Sequence, residues 1–308
     1  MALVDAQLAE PGAAAYGSAM RFLARISVLL ALIMAPAWAF ALPPVWTVHD
    51  HDATVTLFGS VHLLPQGLAW RPPALDRALA GADQVWFETP MDPAGRAAAA
   101  QAAQAHAYLP RGQGLLRMLS NTDRAQLDKA AALLGVATPQ FDRLQPWYAD
   151  LMISAAIYEK VGAKQAEGVE EQLWAAVPPT VVKHEFETPE EQIGFFADAA
   201  LPEQVASLEE TLKETGTAEH DYQVLLKAWM DGDLKTLDRE VVRPMRKASP
   251  SLYATLVQKR NSRWVGDIVA RMRTPGQTVI IVGMGHLIGP DGVPARLRAL
   301  GYDVQGPR

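Results

Sequence analysis

Two stretches of this chain end in the same pattern, Gly59-Ser60-Val61-His62 and Gly283-Met284-Gly285-His286. Each follows a run typical of a buried strand, Thr54-Val55-Thr56-Leu57-Phe58 and Thr278-Val279-Ile280-Ile281-Val282. A side chain at the carboxyl end of such a strand faces the crevice where α/β proteins bind ligands, and glycine lets the backbone bend there. A third apolar run, Val85-Trp86-Phe87, ends in Glu88. A carboxylate in that position is expected to be paired or metal-bound, because burying it alone is costly. Two imidazoles and one carboxylate at adjacent strand ends can hold a divalent ion and leave positions open for water and substrate. The ion would lower the pKa of its water and polarise a carbonyl. Taken singly, each of these residues also reads as a hydrogen-bonded structural group. The chain has seven histidines, and two of them in matched contexts point to a site.

Other residues could support that chemistry. Glu170 and Glu187 lie at element boundaries, in Gly168-Val169-Glu170-Glu171 and Glu185-Phe186-Glu187-Thr188. Acids are also favoured at helix starts by the helix dipole, which gives Glu170 an alternative explanation. Arg260, Asn261 and Trp264 fall on a helical stretch, where packing along one face and a solvent salt bridge account for them equally well. The Gly283-x-Gly285 pair is not a dinucleotide loop: the next glycine is Gly289, and too little chain follows for a second βα unit. No nucleophile elbow, phosphate-binding P-loop or H-E-x-x-H pattern is present.

The elements that must position these residues follow from periodicity. Val45 to Val48 and Thr54 to Phe58 alternate around the polar stretch His49 to Asp52, which predicts a β-hairpin. A short helix is expected from Pro72 to Ala80, and a buried strand from Gln84 to Glu88. Helical patterning runs from Ala94 to about Gly162 and again from Gly168 to Ala176. A strand from Thr180 to Phe186 follows, and Thr188-Pro189-Glu190-Glu191 carries the capping residue, N1 proline and N3 acid of a helix start. Helical periodicity then continues to Arg273, before the Thr278 strand, a helix from Asp291 to Leu300 and a last strand near Tyr302 to Val304. The expected class is α/β of the α+β type. One mixed sheet from the two ends of the chain is covered by helices, and a helical cap spans about 94–273.

Composition narrows the classes of function. The chain has 308 residues, 49% hydrophobic and 20% charged, which excludes a disordered chain. Its net charge is −6 with no basic run, which argues against nucleic-acid binding. The absence of cysteine removes disulfides, thiolate nucleophiles and cysteine-ligated metals. Arg21 and Arg25 precede the apolar run Ile26 to Ala35, and two small-x-small steps end at Ala41. That reads as a cleaved secretory signal peptide over residues 1–41, with Met20 the expected biological start. The expected mature protein, 42–308, is a single domain without a membrane span, periplasmic or secreted.

Taken together these motifs resemble the TraB/GumN family, which is related to the Tiki metalloproteases. The resemblance rests on Leu57-Phe58-Gly59-Ser60-Val61-His62, Val85-Trp86-Phe87-Glu88-Thr89, Gly168-Val169-Glu170-Glu171-Gln172-Leu173, Phe186-Glu187-Thr188-Pro189-Glu190-Glu191-Gln192, Lys259-Arg260-Asn261-Ser262-Arg263-Trp264, and Gly283-Met284-Gly285-His286 with its flanks. It implies that His62, Glu88 and His286 form the active site, with Arg260 and Asn261 in support. It further implies a manganese-type ion; Zn²⁺ or Co²⁺ would suit the same donors. The leading expectation is an exported metal-dependent hydrolase acting on a peptide or protein, with Glu187 or Glu170 as proton shuttle and Arg260 or Asn261 at the oxyanion. The alternative is a non-catalytic protein that sequesters a peptide or polysaccharide.

Overall fold

The computed structural model describes residues 42–307; the expected signal peptide and the start at Met20 lie outside the described residues. The chain opens with β1 (Val45–Asp50) and β2 (Ala53–Ser60), an antiparallel hairpin whose turn places His51 at a left-handed φ of 45°. The short β3 (Leu64–Pro65) pairs with β5 (Ala163–Lys164) away from the main sheet. β4 (Gln84–Phe87), β6 (Val182–Glu185) and β7 (Gly276–Gly283) join the hairpin, and β8 (Asp303–Gln305) closes the far edge. The six-stranded order is β6-β4-β7-β2-β1-β8. It is the mixed α/β sheet expected, built from strands near both ends of the chain and one from its middle.

Within that order β2, β7, β4 and β6 are parallel, so their carboxyl ends share one edge. The register sets Gly59 beside Val282 and Ser60 beside Gly283. The two Gly-x-x-His segments therefore leave neighbouring strands at the same level, and Glu88 leaves β4 on the other side of β7. β7 reads Thr-Val-Ile-Ile-Val because both its faces are buried, as in a central parallel strand.

Two hydrophobic cores support this edge. The larger packs the sheet against helices and contains Trp46, Phe58, Trp70, Trp229 and Trp264, all almost fully buried. The smaller lies in the helical middle around Leu127, Phe141, Ile153, Leu208 and Leu212. There the helices Pro146–Lys160 and Leu201–Glu214 pack on each other. The expected start of the Pro189–Ala197 helix is present: Glu191 N–H donates to Thr188 Oγ1 at 3.1 Å, and Thr188 N–H donates to the Glu191 carboxylate at 2.8 Å. No helix among the described residues is long and apolar enough to cross a membrane.

Candidate active site

The carboxyl edge of the parallel strands brings together His62, Glu88, Glu170, Glu187, Arg260, Asn261 and His286. Each arrives by a different local device. Gly168 allows the Val169–Ala176 helix to start against the first motif: a Cβ there would lie 2.1 Å from the His62 carbonyl oxygen. Val169 N–H donates to the Val61 carbonyl at 3.1 Å in the same contact. This docking carries Glu170 to the first histidine. Its Oε1 accepts from Ser60 Oγ at 2.5 Å and lies 2.7 Å from His62 Nδ1.

The second motif is held from the Arg260–Arg271 helix. Asn261 Nδ2 donates to the carbonyls of His286 at 3.1 Å and Asp291 at 2.8 Å, which leaves its Oδ1 to accept from His286 Nδ1 at 2.7 Å. That bond assigns the proton to Nδ1 and turns the Nε2 lone pair toward the crevice. Trp264 packs on the other side of the ring, 4.5 Å between centroids. A π-helical turn, Ala254–Lys259, precedes this helix.

Arg260 sits at the centre. Its Nε and Nη2 bind the two oxygens of Glu187 at 2.7 Å each, and Nη2 also donates to Glu88 Oε2 at 2.7 Å. Its Nη1 donates to the Leu256 carbonyl at 3.2 Å and meets His286 Nε2 at 3.0 Å. The guanidinium lies over the rings of Trp264 and Phe195, at 4.8 and 5.1 Å. Arg263 and Trp264 also donate to Glu187 Oε1, at 2.9 and 3.2 Å. Glu187 is thus fully engaged behind Arg260. Glu88 completes the group, accepting from Gly283 N–H at 2.6 Å and Gln192 Nε2 at 3.2 Å. A Cβ on Gly283 would come within 3.2 Å of that Glu88 oxygen, so the motif glycine leaves room for it.

The electrostatics separate these groups. Burial pushes Glu88 up, but Arg260, His286, His62 and the Gly283 N–H together hold it down at about 2. Burial lowers His286 to about 3, with Arg260 adding to the effect against the opposing pull of Glu88. His62 goes the other way: the Glu170 carboxylate raises it to about 9. Its side chain is 67% exposed at the crevice mouth, where solvent screens part of that attraction. Glu170 is itself held low, because His62 and Ser60 outweigh its burial.

Both histidines have Nδ1 tied to a partner, the arrangement in which an outer group orients a metal ligand, while Nε2 of His286 is met by Arg260 Nη1 at 3.0 Å. The donor types therefore suit a divalent ion. As they stand, no three His, Cys, Asp or Glu side chains among the described residues are grouped to hold one. In this arrangement the Arg260 guanidinium takes the lone pairs of Glu88 Oε2 and His286 Nε2.

Sequence reasoning missed Gln192 and Phe195. They lie on the helix begun by the Thr188 cap, about one and two turns in, which is the signal that could have found them. His49, His51, His106, His184 and His220 stand apart from this group; His184 tilts against Trp86, 5.0 Å between centroids.

A mixed α/β sheet with two Gly-x-x-His segments and a glutamate converging on its parallel edge defines a class of protein. Residues 44–306 match the TraB/PrgY/gumN family, and this chain belongs to that family. Its relatives include the uncharacterized protein YbaP of Shigella flexneri, 26% identical over 255 residues, covering 81% of this chain and 88% of the relative. YbaP of Escherichia coli K12 is 26% identical over 247 residues, covering 79% and 87%. No solved structure matches the chain.

Proposed function

We propose that this protein is an exported, metal-dependent hydrolase that cleaves peptide bonds in the crevice at the parallel edge of the sheet. The observation that carries the reading is the convergence of His62, Glu88 and His286 on neighbouring strand ends, each oriented by a second polar group. A divalent ion, Mn²⁺ or alternatively Zn²⁺ or Co²⁺, would be held by those three residues and would polarise the carbonyl and acidify water. Arg260 competes for two of the same donors, so loading requires its guanidinium to release Glu88 and His286 while Glu187 keeps it nearby. From there Arg260 is placed to donate to an oxyanion. Glu170 holds the proton on His62 Nδ1, and the Nε2 proton of the imidazolium would leave to solvent when an ion is bound there. Glu187 positions Arg260.

The test is turnover of a fluorogenic peptide library by protein purified without chelator, measured with EDTA and after adding back Mn²⁺, Zn²⁺ or Co²⁺. Cleavage that EDTA abolishes and Mn²⁺ restores is expected, with Glu88→Gln and His286→Ala lowering it by at least ~100-fold, as for loss of other groups acting in a transition state. Cleavage indifferent to EDTA would overturn the metal. Peptide binding without any cleavage would leave the sequestering protein as the reading.

A further inference from the structure

Opposite the polar edge, the crevice has a wall of different character. The cavity of about 390 Å³ is lined by His62, Glu88, Arg260 and His286 as its ionisable residues other than tyrosine among those described. Tyr158, Phe196, Leu225, Val241, Met245 and Leu256 come from the helical cap and face that group across the same space. Leu225, Val241 and Met245 are half-buried, so they are packed on the cap yet keep apolar surface open to the crevice. These six residues also line a second cavity of about 350 Å³, whose lining adds Asp150, Glu210, Glu214 and Glu240, so the apolar wall separates the reacting edge from an acidic margin. Tyr222, whose hydroxyl donates to the Leu63 carbonyl at 3.1 Å, ties the cap to the first motif and fixes the wall's position.

The geometry points to a substrate that places a large apolar side chain, of the leucine, methionine or phenylalanine class, against Leu225, Val241 and Met245 beside the bond to be cleaved. This rests on the hydrolase reading and adds to it the class of residue selected. Covering the wall removes apolar surface from water on both sides, which drives binding. A charged side chain against these three residues would be desolvated with no partner in this cavity, since its charged groups are engaged with one another and the acids of the adjoining cavity lie beyond the wall. A hydrophobic pocket of this kind discriminates by about tenfold or more for each misplaced methylene, and more strongly against charge.

The experiment compares fluorescein-labelled Ala-Ala-Phe-Ala-Ala with its aspartate and lysine counterparts, by fluorescence polarisation with the full chain. Cleavage-site mapping of a mixed peptide pool by mass spectrometry accompanies it. The phenylalanine peptide should bind at least tenfold more tightly than either charged one, and Met245→Glu should remove that preference. Equal binding of the three peptides, or a preference that Met245→Glu leaves intact, overturns the inference. Selective binding with no cleaved bond in the pool sustains it and sinks the hydrolase reading alone. Cleavage without enrichment of apolar residues does the reverse.

Discussion

His62 and His286 close the same four-residue pattern at the ends of adjacent parallel strands, one residue apart in register, yet they end in opposite electrostatic states. His62 stands at the exposed mouth of the crevice with a carboxylate on its Nδ1, and is raised to about 9. His286 is buried between Trp264, Asn261 and a guanidinium, and is lowered to about 3. The ring and the Gly-x-x-His spacing are shared, although Met284–His286 closes into a 3-10 turn and Val61-His62 does not; the difference in charge comes from the groups that distant elements bring to each ring. A carboxylate stabilises imidazolium; burial beside a guanidinium stabilises neutral imidazole. One motif can thus supply a positive ring and a neutral ring at neighbouring strand ends.

The largest effect should come from Arg260→Met, which removes the cation from Glu88, Glu187 and His286 together. Breaking a buried ion pair from one side costs roughly 3–5 kcal/mol, which for a domain of this size lowers the melting temperature by about 10 °C. In the same variant His286 should titrate at higher pH than in wild type, read by NMR of its ring protons. An unmoved His286 would show that burial alone, without Arg260, holds that ring low.

Next is the stability difference between His286→Ala and His62→Ala. The first leaves Asn261 Oδ1 and an Arg260 N–H unpartnered in a buried place and should cost about 1–3 kcal/mol. The second removes an exposed ring and leaves Glu170 with Ser60 Oγ as a remaining partner, while the vacated crevice mouth lets water reach the carboxylate, so the loss should be smaller, about 0.5–1 kcal/mol. Urea melts at pH 7 measure both, and equal losses would break the contrast.

The smallest effect concerns pH. The folded value of His62 lies above the ordinary 6.5, so its contribution to stability is fully present below 6.5 and is lost as pH rises through about 9. Glu170→Gln should return His62 toward its ordinary value and flatten the urea midpoint between those limits, leaving His286 unmoved. Solvent screening at the crevice mouth keeps this change small. On the acid side the sign reverses. The depressed value of His286 means that stability falls as pH drops from 6.5 toward 3, while the contribution of Glu88, present above 4.5, is lost as pH falls through about 2. A midpoint in Glu170→Gln that follows wild type through the alkaline range would remove Glu170 as the cause.

Much of the site could be read from the chain. His62, Glu88 and His286 were visible because a β-branched or aromatic run announces a strand, and the residue after it must sit at the strand's end. The helix start at Thr188 was equally plain, since its cap, N1 proline and N3 acid act within four residues. Arg260 was visible as a supporting residue but not as the centre, because on a helix it reads equally as an exposed partner of some acid. The π-helical turn at Ala254–Lys259 shifts the helical phase just before it, and no residue pattern in that stretch marks the change.

The order of residues settles what short-range forces settle: which runs form strands, where helices begin, and that two histidines and a glutamate end their strands. The charge each of these carries is decided only when the chain folds. Ser60 meets Glu170 across 110 residues, Gly283 meets Glu88 across 195, and Arg260 meets Glu88 across 172. Coulomb attraction and desolvation depend on distance in space and on exclusion of water, and neither is encoded in the spacing of a motif.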